Sequence, residues 1–591
     1  MPVMVYSLPK LHNLKASLKL YLLRFGKPGI QNISLMKNSF ILLFTSIIFA
    51  SCTQTEEKQF VAIDNIIPKT IALSEEQQKN WQYKDIIDDT IPGISLDKAY
   101  TEIIKDKKGA PIIIAVIDTK LDINHEDISK HIWINPKEIP DNNIDDDNNG
   151  YIDDMNGWNF LGNKKGEDVF YSNFESMRII RKYDSVFSDK KPDQIPTELS
   201  EAYALYKKAQ HLREKELKKG LQNQKYGDFL VNTYPESLAT LQKIYPKQDY
   251  TLNELDSLYT VYKKDTVVSK LIYYMVNYKK YNLTQKRIHN YKKSFDAVMS
   301  KSLRYEHNER TLIGDDPENI NDIKYGNPKV WNDDIPFQHA IGVAGAIAAD
   351  RHNDKGINGI LDHVKIMSLC VASSGGDEHD KDIALAIRYA ADNGAKIINM
   401  SFGKPLSLNR SWVDDAIVYA ESKDVLIVCS AGNDNIEINL ENTHYPNDYS
   451  KTGEEISNNL IKVGASTYSL DKTLKAYFSN YSKKHIDLFA PGYKVYSTSH
   501  GNIYRPINGT SLSAPIVSGV AALIRSYHPD LSAFEVKDIL MKSGVSYDID
   551  VEIIQEDGSE KLVPFSKLSK SGKIVNAYNA LLMAEQVANS K

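Results

Sequence analysis

From residue 112 onward the apolar positions follow two alternating patterns. Short, mainly apolar runs occupy 112–117, 364–370, 396–400, 425–429 and 460–465, while 382–393 and 412–422 place their apolar residues three or four apart. The runs are too short for buried helices and show no polar alternation, so they predict strands covered on both faces. Strands of this kind alternating with helices predict an α/β fold: a doubly wound, mostly parallel sheet with helices on both faces. In that architecture functional groups collect beyond the carboxyl ends of the strands.

The stretch 165–315 departs from this rhythm. It is rich in Lys, Glu, Tyr and Leu, and Leu255, Leu258, Tyr259 and Tyr262 fall at helical spacing after Thr251-Leu252-Asn253-Glu254. A threonine followed three residues later by glutamate is a capping box, so amphipathic helices are expected here. The tyrosines are read as core rather than as a ligand site. An inserted α-helical subdomain is therefore predicted, and 314–335, rich in Asp, Asn, Pro and Gly, reads as the loop returning from it.

Candidate chemistry begins at Asn508-Gly509-Thr510-Ser511-Leu512-Ser513-Ala514-Pro515, where a small-residue turn opens onto the apolar run 516–524. Proline is tolerated early in a helix, and an anion formed at Ser511 would meet the helix's positive end. A serine hydroxyl needs a base and a group that orients the base. Asp118 closes the apolar run 112–117, and His339 opens the small-residue helix pattern 339–349. Taken singly, each of these residues would read as a turn or a cap. Their order along the chain, Asp then His then Ser, is one of the known triad orders.

At these residues the chain resembles the subtilisin-like serine peptidases, the subtilases. Asp118-Thr119-Lys120, His339-Ala340-Ile341-Gly342-Val343-Ala344-Gly345 and Gly509-Thr510-Ser511-Leu512-Ser513-Ala514-Pro515 are similar to the family's three catalytic segments. Ile398-Asn399-Met400-Ser401-Phe402-Gly403 resembles its pocket strand, and Val428-Cys429-Ser430-Ala431-Gly432-Asn433 its oxyanion segment. The resemblance implies a subtilisin-like fold and a serine endopeptidase acting on polypeptides through an acyl-enzyme. Asp118, His339 and Ser511 would be catalytic, Asn433 would serve the oxyanion hole, and Ser401, Phe402 and Gly403 would bind substrate in a pocket tolerant of apolar side chains. No cofactor is required for that chemistry. Lys120, Ile341 and Gly342 depart from the family pattern, which keeps a second reading in view: a catalytically impaired subtilase-fold binding or chaperone-like envelope protein. The resemblance also extends to peptide ligases, which would need a site that excludes water.

The acidic stretch 141–154 contains Asp145, Asp147 and Asn149 followed by Gly150, the start of a calcium-loop pattern. Asn156 stands where a bidentate glutamate would complete it. Structural Ca²⁺ and a solvated acidic turn read alike at this level.

Composition narrows the partners. Across 591 residues the net charge is −5, which gives no indication of nucleic acid. Of the three cysteines, Cys370 and Cys429 sit in apolar runs and read as buried thiols, not as a disulfide framework. Cys52 follows Met36-Lys37-Asn38 and the apolar run 40–50, an arrangement resembling a bacterial lipobox. The expected organisation is 1–35 untranslated or spurious, 36–51 signal peptide, 52–75 tether from a lipidated Cys52, 76–164 first part of the catalytic domain, 165–315 helical insertion, and 316–591 the remainder. Export and lipid anchoring to the envelope follow from that reading; oligomeric state does not.

Overall fold

The computed structural model describes residues 60–63, 66, 69, 72–331, 339–555 and 557–591. The signal and lipidation readings around Cys52 lie outside the described residues. The description below concerns the compact unit Gln59–Lys591.

Among the described residues, its centre is a nine-stranded sheet. β1 (Ile112–Asp118) lies between β3 (Val364–Cys370) and β4 (Ile397–Met400) and is parallel to both. β5 (Leu426–Ser430), β6 (Leu460–Ser466) and β7 (Leu488–Pro491) continue one side, and β2 (Gly157–Asn159) closes the other. At the far edge β13 (Lys573–Ile574) runs parallel to β7, and β10 (Val545–Ser546) pairs antiparallel with it.

Both faces of the sheet are covered, which is why the strands read as mainly apolar runs. Side chains alternate across a strand. In β1, Ile112, Ile114 and Val116 enter the core shared with the helices Ala340–Ala348 and Thr510–Tyr527. Ala115 and Ile117 enter the opposite core, under the helices Asp380–Asp392 and Arg410–Ser422. β5 repeats the division, with Leu426 and Val428 on the first side and Ile427 and Cys429 on the second. Cys370 and Cys429 are buried free thiols, and burial pushes both up to about 12.

Between β2 and β3 the chain forms the helices Glu175–Phe187, Ser200–Ile244, Leu252–Val261, Thr266–Lys280 and Gln285–Ala297. Thr251 and Glu254 form a reciprocal capping box at the third of them. Leu230, Leu241, Leu255, Ile272, Met275 and Ile288 build a separate small core here. Buried ion pairs join this stretch to the sheet layer. Arg178 pairs with Glu175 at 2.5 Å, and Glu175 lies 3.2 Å from the Lys404 ammonium, which also pairs with Asp380 at 2.9 Å. Arg310 meets Asp382 at 2.7 Å. Each such charge is tolerated in the interior only because its partner is present.

Candidate active site

Asp118 ends β1 and is 1% exposed. Its Oδ1 accepts the Thr119 amide at 2.7 Å, and both carboxylate oxygens lie 2.9 Å from Nδ1 of His339. A carboxylate facing Nδ1 fixes the proton on that nitrogen and leaves Nε2 in the basic form. Burial works to lower the His339 pKa, but the charge and hydrogen bond of Asp118 override it, so the imidazole titrates above its usual 6.5. Glu378 adds in the same direction.

Thr119 seats the histidine. Its hydroxyl oxygen accepts from the backbone N–H of His339 at 3.1 Å and of Ala340 at 3.0 Å, capping amides that the Ala340–Ala348 helix cannot pair internally. The next turn is held by β8 (Val495–Ser499): Thr498 donates to the Ile341 carbonyl at 2.6 Å and Ser497 to the Gly342 carbonyl at 2.7 Å. Ile341 is buried in the main core, so neither departure from the family pattern leaves the helix loosely held.

Lys120 is also accounted for. Its ammonium pairs with Asp168 at 2.8 Å, both side chains 6% exposed, and Asn159 donates to the other Asp168 oxygen at 2.8 Å. The charge is thus neutralised by a residue from the segment after β2.

Ser511 occupies the first turn of the Thr510–Tyr527 helix, which packs against the Ala340–Ala348 helix that His339 precedes. Its hydroxyl donates to the Ser401 carbonyl at 3.0 Å, and the Ser401 hydroxyl donates to the Ser511 carbonyl at 2.9 Å. Asn399 donates to Ser401 Oγ at 2.9 Å and accepts from Ser518 at 3.0 Å, tying the end of β4 to the same helix. Gly509 has φ +151°, a backbone geometry that side chains disfavour.

Asn433 follows β5. Its Oδ1 accepts from the Thr510 N–H at 3.0 Å and hydroxyl at 3.1 Å. That engagement turns the amide nitrogen toward the nucleophile turn: a Cβ placed on Gly509 would stand 3.7 Å from Asn433 Nδ2 and 3.6 Å from Ser511 N. Asn433 Nδ2 and the Ser511 amide nitrogen thus both lie close to this turn. Of the substrate-segment residues, Ser401 is buried against the helix, and Phe402 packs on the core beneath the sheet.

At the acidic loop, Glu138, Asp145 and Asp147 offer oxygens within 4.8 Å of one another. Asn149 turns its oxygen to the Tyr151 N–H at 2.8 Å and its nitrogen to Asp154 at 2.8 Å. The glutamate comes from seven residues before Asp145, outside the spacing that sequence reasoning scanned.

Comparison with known proteins fits this arrangement. The pattern of peptidase S8, the subtilase family, matches residues 109–562, from the start of β1 past the Ser511 helix. The chain belongs to the subtilase family. Within the subtilases, it is 33% identical over 233 residues to a thermophilic serine proteinase of Bacillus sp. (strain AK1), covering 39% of this chain and 51% of that one. It is 32% identical over 208 residues to subtilisin DY of Bacillus licheniformis, covering 35% of this chain and 70% of that one. Subtilisin Savinase of Lederbergia lenta is 30% identical, with the same coverages. The aligned stretch spans about half the length of the first of these relatives. A solved protease of Pseudoalteromonas arctica PAMC 21717 covers 42% of the chain and 70% of its own, at 28% identity and a TM-score of 0.32.

Sequence reasoning did not single out Thr119 as a cap or Asp168 as the partner of Lys120. The capped amides lie more than two hundred positions downstream, so no local spacing could reveal them.

Proposed function

We propose that this subtilase hydrolyses peptide bonds as a serine endopeptidase, with Ser511 as nucleophile, His339 as general base and acid, Asp118 as the orienting carboxylate and Asn433 as oxyanion donor. The observation that carries the reading is the buried Asp118 carboxylate 2.9 Å from His339 Nδ1. Ser511 Oγ attacks the peptide carbonyl carbon while its proton passes to His339 Nε2. The oxyanion takes hydrogen bonds from Asn433 Nδ2 and the Ser511 N–H. Return of the proton to the amide nitrogen breaks the C–N bond and leaves the acyl-enzyme, which water clears by the same route. The impaired-scaffold reading has no observation in its favour, since Lys120 is paired with Asp168 and the histidine's helix is capped.

Labelling of the full chain with a fluorophosphonate, followed by mass mapping, tests the assignment. An adduct on Ser511, absent in Ser511→Ala along with hydrolysis, is expected; removal of a triad nucleophile costs on the order of 10⁶ in kcat. A folded protein without an adduct, or turnover undiminished in Ser511→Ala, overturns it.

Two accompanying readings belong to the same proposal. Glu138, Asp145 and Asp147 supply the hard oxygen ligands that suit Ca²⁺, which would brace the loop without entering the chemistry. Export and lipid attachment at Cys52 would place the enzyme at the bacterial envelope. Among the described residues no helix is long and apolar enough to cross a membrane. Mass analysis of the mature N-terminus decides the attachment.

A further inference from the structure

Resting on the peptidase reading, we propose that His444, backed by Lys462, floors the pocket for the side chain preceding the scissile bond and selects short side chains bearing a hydrogen-bond acceptor, aspartate foremost. β4 and β5 are neighbours in register, Met400 opposite Cys429. Beyond their carboxyl ends the segments 401–403 and 430–433 run side by side, with Ser430 Oγ 3.4 Å from the Phe402 carbonyl. The gap between them ends on an imidazole. A Cβ placed on Gly403 would stand 2.0 Å from His444 Cε1, and one on Gly432 would stand 2.6 Å from His444 Nε2. The ring thus lies against the backbone of Gly403, and at Gly432, where φ is +96°, it shares the space with Asn480 Nδ2, 2.5 Å from the same Cβ. Reciprocal hydrogen bonds between Lys404 and Tyr445, at 3.0 and 2.8 Å, hold His444 in that place.

The chemistry of the floor follows from what stands behind it. Lys462 Nζ is buried and donates to the carbonyls of His444 at 2.8 Å and Pro446 at 2.5 Å, and lies 3.3 Å from His444 Nδ1. An ammonium can only donate, so Nδ1 accepts and the ring proton resides on Nε2. Burial, reinforced by the Lys462 charge, holds the His444 pKa well below its usual value and keeps the ring neutral. Asp487 accepts the backbone N–H of Lys462 and pairs with Lys570 at 2.9 Å, and its charge and that of Asp448 act on the Lys462 ammonium without forming an ion pair with it.

Nε2 makes no hydrogen bond to any described residue, although His444 is only 7% exposed. A donor thus faces the gap between the two glycines with a cation behind it. A carboxylate arriving there satisfies the donor and meets a favourable potential; an amide oxygen satisfies the donor alone. An apolar side chain strands a buried N–H, and an aromatic one finds its space filled by the ring. The apolar tolerance that Ser401-Phe402-Gly403 suggests in the sequence is replaced by acid selectivity.

The experiment is cleavage profiling of the full chain with fluorogenic peptides varied only at the residue before the cleaved bond, cut sites being verified by mass spectrometry. We expect kcat/KM for aspartate to exceed that for phenylalanine by up to about a hundred-fold, the factor that corresponds to leaving one buried donor unpaired. His444→Ala is expected to reverse the order toward phenylalanine and leucine. If that variant does not fold, Lys462→Met should still cut the aspartate preference about tenfold while sparing the size limit. A wild-type preference for phenylalanine or leucine, or an unchanged ratio in a folded His444→Ala, overturns the inference. Fluorophosphonate labelling in the same samples separates the two levels: labelled enzyme with the wrong preference removes the pocket assignment alone, and unlabelled enzyme that cuts nothing removes the peptidase reading together with it.

Discussion

Ser401 and Ser511 exchange hydrogen bonds, the hydroxyl of each donating to the carbonyl of the other. The Ser511 hydroxyl is thus engaged by the segment that follows β4, and Ser401 Oγ is held in turn by Asn399. Ser401→Ala removes one of these bonds and strands the Asn399 amide. It should destabilise the protein by about 1–2 kcal/mol, read as a lower melting temperature, and lower kcat more than it raises KM.

Asn433→Ala is the complementary test of the oxyanion assignment. It should cost about 10²–10³ in kcat with little change in KM, since the contact forms only as charge develops on the oxygen. Asn433 Oδ1 also accepts from the buried Thr510 N–H and hydroxyl, so the melting temperature should fall modestly as well. A variant with unaltered kcat would assign the residue to loop structure instead.

The raised pKa of His339 has opposite consequences for activity and stability. The base must be neutral to accept the Ser511 proton, so kcat/KM should fall on the acid side through a pKa above 6.5. Stability runs the other way. The charged pair with Asp118 contributes fully below the unfolded-state pKa, and that contribution is lost as pH rises through the folded-state value. Asp118→Asn should shift the activity limb to lower pH, abolish the stability component and reduce kcat by about 10⁴. Rate profiles and melting curves over the same buffers check both halves.

The Lys120–Asp168 pair predicts an asymmetric cost. Asp168→Ala leaves a buried ammonium unpaired and should destabilise by about 3–5 kcal/mol. Lys120→Met combined with Asp168→Leu removes both charges and should come close to wild-type stability. Denaturant titrations of the single and double variants decide this.

If Glu138, Asp145 and Asp147 hold Ca²⁺, added Ca²⁺ should raise the melting temperature and chelator should lower it, while Glu138→Gln should blunt both responses. Identical melting with and without the ion would leave the loop as a set of acidic turns.

The sheet was legible in the sequence because parallel strands covered on both faces are predominantly apolar. The runs at 364–370, 396–400 and 425–429 match β3, β4 and β5 to within a residue or so. Asp118 and His339 were legible as a pair only through their order and flanking residues; the 2.9 Å contact is a property of the assembled sheet. What stayed hidden depends on distant partners. Nothing near Lys120 announces Asp168, and nothing near His444 announces that two glycines on neighbouring strands make room for its ring. The buried Glu175–Lys404 contact is equally silent, since an isolated glutamate or lysine normally reads as surface.

The position of β1 between β3 and β4 also governs how this protein comes into being. A ribosome delivers the strand bearing Asp118 early, yet its neighbours β3 and β4 emerge 252 and 283 residues later. During that interval a fully apolar strand has two vacant hydrogen-bonding edges, the condition under which nascent chains associate with the wrong partner. Non-local pairing of this kind also makes for slow closure of the sheet. The same delay is protective: the residues assigned to catalysis cannot meet until Ser511 has left the ribosome, so most of the chain is made before any of it can cut.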